Sequence, residues 1–218
     1  MMKRIDTKIP GVCIIESDCF GDHRGWFMET YSKQKFVEMG INNDFVQDNL
    51  SFSAIKGTFR GLHYQCDPYA QAKLVRCIRG EIIDVAVDLR KGSPTYGQHV
   101  ECLLTGRDEE GIRIANELGS TLPSYFSHLT SAVGLQFFVP RGFAHGFAVL
   151  SETAVFQYKC DEFYHPEADG GISILDDSLG IDWRIPIEKA NLSEKDTKYA
   201  LLKFFDSPFD INVNLYRR

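Results

Sequence analysis

The chain has 218 residues, 44% of them hydrophobic, which is enough for one good core and a single domain. Its formal charge of -6 excludes a general nucleic-acid or membrane-surface binder, since either needs a basic excess. An anionic small ligand stays open, because only the local potential in a pocket matters. The six cysteines (Cys13, Cys19, Cys66, Cys77, Cys102, Cys160) stand singly, with no zinc or disulfide spacing, and read as reduced thiols. After Lys3 and Arg4 the apolar run Val12 to Ile15 is far too short for a signal core or a membrane span, so a cytoplasmic protein is expected.

In chain order, residues 11–15 and 26–31 read as short strands joined by a Gly/Asp turn that holds Arg24, and Lys33 to Met39 as one or two turns of amphipathic helix. This opening suits a sheet edge or a subunit contact. Phe45 to Ser53 alternates apolar and polar residues, so one face presents Gln47 and Asn49; taken alone, those amides read most simply as an exposed strand face. Gly57 to Gln65 reads as a strand whose alternation groups Phe59, Gly61, His63 and Gln65. Arg60, beside the glycines, needs only a small backbone adjustment to aim inward. With Lys73 just beyond, three cationic or titratable groups then converge, although each alone is as well read as a core histidine or a solvated cation.

From Ala72 the strands come quickly: Leu74 to Ile78, Glu81 to Leu89, Gly97 to Leu104, Leu135 to Val139, Ala144 to Leu150 and Ala154 to Lys159. Gly/Pro turns at Arg79-Gly80, Gly92-Ser93-Pro94 and Pro140-Arg141-Gly142 separate them. This regular spacing indicates a β-sandwich or barrel. Residues 106–133 break the rhythm: an acidic Asp108-Glu109-Glu110 leads into a short helical pattern ended by Gly119, followed by Tyr125, Phe126 and Leu129. A loop of that length with apolar side chains is a lid or an interface element. Gly170 to Leu175 reads as a last strand. Ser193 reads as the start of a C-terminal helix with Asp196 at the third position of its capping box.

Gly134, Pro140, Gly142 and His145 fit the second cupin motif, and Gly57 with His63 opens the first. Where a metal cupin continues with a second His and a carboxylate, this chain has Gln65 and Lys73; an ammonium repels a cation, so no metal is expected. More of the sequence resembles one family, the dTDP-4-dehydrorhamnose 3,5-epimerases. The resemblance is carried in family order by Asp22-His23-Arg24-Gly25, Phe45-Val46-Gln47-Asp48-Asn49, Arg60-Gly61-Leu62-His63-Tyr64-Gln65, Tyr69-Ala70-Gln71-Ala72-Lys73-Leu74-Val75, Asp84-Val85-Ala86-Val87-Asp88-Leu89-Arg90, Ser93-Pro94-Thr95-Tyr96-Gly97, Pro140-Arg141-Gly142-Phe143-Ala144-His145-Gly146-Phe147, Tyr158-Lys159 and Leu192-Ser193-Glu194-Lys195-Asp196.

That resemblance implies a mainly β, cupin-type double-stranded β-helix with short peripheral helices, forming one domain over 1–218 with an inserted segment at about 106–133. It implies epimerisation of a nucleotide-diphosphate sugar, a dTDP-linked 4-keto-6-deoxyhexose, by a homodimer without a cofactor. His63 would be the base, Asp196 its orienting partner carried by the C-terminal helix, Lys73 the enolate stabiliser and Tyr158 the acid on the opposite face. Arg24 and Arg60 would hold the diphosphate. Phe27, Glu29 and Gln47 would serve the nucleotide, some of them from a partner subunit. His145 and Asp84 would line the sugar pocket, with Asn49, Tyr164 and Asp169 also at the substrate. The residues fit the chemistry: a base near neutral pKa must act while the developing oxyanion is stabilised, and a weaker acid must return the proton. The chain departs from the family in the length of 106–133, in Ile174-Leu175-Asp176-Asp177-Ser178, and at Asp169 and Arg184. A C3-only epimerase, a 3,4-ketoisomerase, a GDP- or CDP-sugar epimerase and a non-catalytic sugar-nucleotide-binding cupin share the same framework.

Overall fold

The computed structural model describes residues 2–107 and 134–217, so the helix and the aromatic run expected within 108–133 lie outside the described residues. In chain order the strands are β1 (Lys3–Asp6), β2 (Cys13–Glu16), β3 (Cys19–Asp22) and β4 (Gly25–Met28), then helix α1 (Lys33–Glu38). They continue with β5 (Gln47–Ser53), β6 (Phe59–Gln65), β7 (Lys73–Arg79), β8 (Glu81–Asp88), β9 (Arg90–Lys91) and β10 (His99–Thr105). After the undescribed segment come β11 (Gln136–Val139), β12 (Phe143–Val149), β13 (Ala154–Cys160), β14 (Asp169–Gly171) and β15 (Phe209–Asp210). No helix among these residues is long and apolar enough to cross a membrane.

The period-two strands stack as two sheets, one ordered β1-β2-β11-β7-β13-β5 and the other β10-β8-β12-β6-β14. Nearly all pairings in them are between strands distant in sequence, as in a jelly roll. Between the sheets lies a core with Val75, Phe137 and Phe156 from the first and Ala86, Phe143, Phe147 and Val149 from the second. Outside the second sheet, Leu62, Val85 and Ala148 are covered by Ile172, Trp183, Phe209 and Leu215 of the C-terminal segment. Outside the first sheet, Ile15, Leu74 and Phe138 are covered by Phe36 of α1 and Ile41. Covering both faces explains why all eight residues of β8 are buried, and why a strand there can be apolar on both sides.

Three sequence expectations change. The opening strands are four rather than two, with β3 and β4 pairing only with each other as a detached hairpin. Gly170 to Leu175 forms only the short β14, and β15 follows it. The segment after Ser193 is a single 3-10 turn, Asp196–Lys198, rather than a helix, because Tyr199 is already extended. Ser193 Oγ still accepts the Asp196 backbone N–H at 3.2 Å, as a cap would.

The alternation of β6 is also broken. Opposite β12, His63 pairs with His145 and Arg60 with Phe147, so Gly61 and Leu62 together face Gly146 in a β-bulge. The extra residue turns both Arg60 and His63 inward, while Phe59 and Leu62 enter the outer core. Simple alternation would have put Phe59 on the His63 side. Gly61 has φ +135, and a Cβ on it would lie 2.5 Å from the Gly146 Cα. Gly61→Ala should therefore cost about 2–4 kcal/mol in chemical denaturation, from backbone strain plus overpacking. Unchanged stability would show that the bulge can relax.

Candidate active site

A cavity of about 450 Å³ opens between the sheets where the interior changes from apolar to polar. Its functional side chains include Arg60 and His63 from β6, Lys73 from β7, His145 from β12 and Tyr158 from β13, with Asp196 from the C-terminal turn. A second cleft of about 330 Å³ shares His63, Lys73 and Tyr158 and adds Gln47, Asn49, Tyr164 and Asp169. The two adjoin along those three shared side chains. His63 and His145 are direct cross-strand partners in one sheet, whereas Lys73 and Tyr158 belong to the other. The sandwich thus sets a histidine wall against a lysine and tyrosine wall.

His63 Nε2 and Asp196 Oδ1 are 2.5 Å apart, and the carboxylate is buried while the imidazole side chain is 29% exposed. Burial alone would push the Asp196 carboxyl up, but the hydrogen bond and charge of His63, helped by Ser193 and Lys195, hold it below the usual range. An ionised Asp196 holds the ring in one orientation. With Nε2 held, Nδ1 is the nitrogen left to take a proton. Tyr199 packs edge-on to the same ring at 5.8 Å.

Lys73 is brought to the floor by a backbone tie: Asp161 Oδ1 accepts the Ala72 N–H at 2.6 Å, and its Oδ2 accepts from Arg141 Nε at 3.0 Å. Burial holds the Lys73 ammonium below the usual lysine range, with Cys160 and Asp84 partly opposing. Burial raises the Tyr158 hydroxyl above the usual tyrosine range, Cys160 adding to this and Arg60 opposing it, so it stays protonated at neutral pH.

His145 faces the cavity, and its Nε2 meets Asp84 Oδ1 at 2.8 Å. Asp84 itself does not line the pocket as expected: it is completely buried beside His145, on the strand hydrogen-bonded to β12, where the inter-sheet core closes over it. Gln47 and Asn49 face the interior, so the exposed-face reading fails for them. The apolar residues beyond them on the strand, Leu50 and Phe52, are the exposed ones. Asp169 is ion-paired with Lys195. Arg24, Phe27 and Glu29 are not brought to this cavity within the chain. Arg24 pairs with Asp22 at the tip of the detached hairpin, and Glu29 pairs with Lys35.

Sequence reasoning missed Ser51, Phe156 and Tyr199. The first two were recoverable by continuing the inward alternation from Asn49 and back from Tyr158. Tyr199 left no signal, since only the 3-10 turn brings it to His63. Among the described residues no group of three His, Cys, Asp or Glu is placed to hold a metal ion.

A cupin-type barrel that sets a histidine, bonded to a buried aspartate, against a lysine and a tyrosine defines an acid–base isomerase class. Within that class, the chain belongs to the dTDP-4-dehydrorhamnose 3,5-epimerase family, whose model matches residues 6–126 and 121–203. It is 43% identical to a dTDP-4-dehydrorhamnose 3,5-epimerase of Shigella flexneri over 96% of this chain and 100% of that one. A dTDP-4-dehydrorhamnose 3,5-epimerase of Methanothermobacter thermautotrophicus is 44% identical over 91% of this chain and 94% of its own. Among solved structures, a dTDP-6-deoxy-D-glucose-3,5-epimerase of Legionella pneumophila, in complex with dTDP-4-keto-L-rhamnose, aligns with TM-score 0.78 and 42% identity. That alignment covers 94% of this chain and 95% of the other.

A buried ammonium with a lowered pKa costs folding stability wherever it is still protonated. The unfolded lysine holds its proton more tightly, so stability rises with pH between the folded value and about 10.4. Lys73→Met should therefore raise Tm at pH 7 to 8, with the advantage shrinking as pH approaches about 10. A lower Tm for the variant would mean that Lys73 is better satisfied than its burial implies.

Proposed function

We propose that the chain epimerises dTDP-4-dehydro-6-deoxy-D-glucose at C3 and C5 to dTDP-4-dehydro-L-rhamnose. The single observation that carries this reading is the pair of opposed walls, His63 on one sheet with Asp196 of the C-terminal turn bonded to it, and Tyr158 with Lys73 on the other sheet. His63 Nδ1 takes the proton from the carbon beside the ketone, and the C–H electron pair moves onto the ketone oxygen. Lys73 stabilises that enolate oxygen, a role whose removal typically costs about 100- to 1000-fold in rate. Tyr158 then gives its hydroxyl proton to the other face of the carbon as the electron pair returns, which inverts the centre. The tyrosinate regains a proton from water and the imidazolium loses one. A second cycle at the other carbon completes the reaction.

Arg60, His145 and Asn49 hold the sugar and diphosphate, while Gln47, Tyr164 and Asp169 line the cleft toward the nucleotide. Asp84 acts at one remove by fixing His145. We read residues 1–218 as one domain, since one core is shared by both sheets, and we place the protein in the cytoplasm, where its six free thiols would stay reduced.

The working form is a homodimer. The edge strand β5 exposes Leu50 and Phe52, and the detached hairpin exposes Phe20, Trp26 and Phe27, a larger apolar display than a monomer ordinarily keeps. Arg24, Phe27 and Glu29 sit on or beside that hairpin and would reach a second copy's site. The double substitution Leu50→Glu with Phe52→Glu should give a monomer by light scattering and raise KM about tenfold or more. A dimer, or a fully active monomer, would refute the partner contribution.

The chemistry separates by mutation. Tyr158→Phe keeps the base and the enolate stabiliser, so solvent deuterium should still enter the substrate while epimer yield collapses, because His63 returns the label to the face it came from. His63→Asn should abolish both. Mass spectrometry reads exchange and NMR reads configuration and position; exchange at C3 alone would identify a monoepimerase instead. Full epimerisation by Tyr158→Phe would show that the acid is another group.

A further inference from the structure

Gln65 stands where a metal cupin carries its second histidine, two residues beyond His63, yet its amide is not free for substrate. It is buried, and both ends are spent on backbone: Nε2 donates to Tyr69 O at 2.7 Å and Phe163 O at 3.1 Å, and Oε1 accepts from His165 N at 2.7 Å. Two more glutamines hold the same segment. Gln71 Nε2 donates to Glu162 O at 2.8 Å, and Gln47 Oε1 accepts from Tyr164 N at 2.9 Å. His165 also stacks flat on Tyr69, with ring centroids 3.6 Å apart. The loop after β13 is thus pinned at four consecutive residues by side-chain amides, and the side chain it presents to the cleft is Tyr164.

We propose that Gln65 is a positioning residue that sets the nucleotide affinity of the site by locking residues 162–165, and with them Tyr164, against the cleft. The inference rests on the function proposed above. An amide is needed because it donates and accepts at once. A histidine cannot reach all three backbone partners, and a glutamate would set an acceptor against the carbonyl oxygens of Tyr69 and Phe163. Because the Gln65 amide bonds only to loop backbone and to neither His63 nor Tyr158, the effect falls on binding rather than on proton transfer.

The test is Gln65→Glu, with dTDP binding measured by calorimetry and turnover measured on the 4-keto sugar nucleotide. The expected result is dTDP binding weakened about tenfold or more and KM raised likewise, with kcat and saturated deuterium exchange within about threefold of wild type. In a Tyr164→Ala background the same substitution should weaken binding by less than about twofold, since its effect passes through that ring. Gln71→Leu, which removes a second clamp from an exposed loop, should shift binding in the same direction and serves if Gln65→Glu does not fold. Unchanged dTDP affinity, a loss confined to kcat, or a full penalty in the Tyr164→Ala background would each overturn the proposal. If wild type neither binds dTDP nor exchanges deuterium, the functional reading falls first; if wild type does both and the variants bind equally well, only the clamp falls.

Discussion

The close approach of two backbones, Gly61 on β6 and Gly146 on β12, governs this site. With no side chain on either residue, the strands meet where any Cβ would collide with main-chain atoms, and one extra residue is absorbed on β6. The bulge takes β6 out of step with its own pleat. Arg60 and His63, which an ideal strand would place on opposite faces, both line the cavity, Arg60 keeping its solvent exposure, and the apolar Phe59 and Leu62 join the outer core. Without that slip, either His63 or Arg60 would point into the outer hydrophobic layer, where neither could be solvated or paired.

A barrel interior that carries Lys73, Asp84, His145 and Tyr158 is costly, and the molecule tolerates it by segregation. One part of the inter-sheet space is filled with Val75, Ile82, Phe137 and Val149, and the polar groups gather in the other, where the cavity is. The buried ionisable groups are also coupled: Asp84 sits under His145 and within electrostatic reach of Lys73, and burial raises its carboxyl against the pull of both. The same low-dielectric setting that makes these groups unfavourable for folding makes a fixed ammonium effective at a developing oxyanion.

The two-sheet construction also bears on stereochemistry. A single sheet offers groups to one side of a ligand, whereas a sandwich opened between its layers can offer a base from one layer and an acid from the other. The relatives in this family, from Shigella, Methanothermobacter and Legionella, align over more than nine-tenths of the chain. Among the described residues, the hairpin of β3 and β4 pairs with no other strand.

The sequence by itself determined the strand-rich class through period-two runs broken by Gly/Pro turns. It also marked His63, Lys73, Tyr158 and Asp196 through their resemblance to one family, and the fold brings these four side chains to one cavity. It located β7, β8, β10, β12 and β13 to within a residue or two, since their alternation reflects real burial on one or both faces. What it could not determine was direction. On β5 the apolar residues face outward and the amides inward, an inversion that makes sense only once a polar cavity lies on the inner side and a broad apolar surface on the outer. Asp84 looks like a pocket residue in the sequence and proves to be a buried support, because its depth depends on β12 pairing beside it and on the other sheet closing over the inner face of β8. Asp196 reaches His63 across 133 residues of chain through a 3-10 turn that no local pattern encodes. Residue type and period are local properties and can be read from the chain, whereas the face a strand presents and the partner a carboxylate finds are set by contacts between segments distant in sequence, which only the tertiary structure decides.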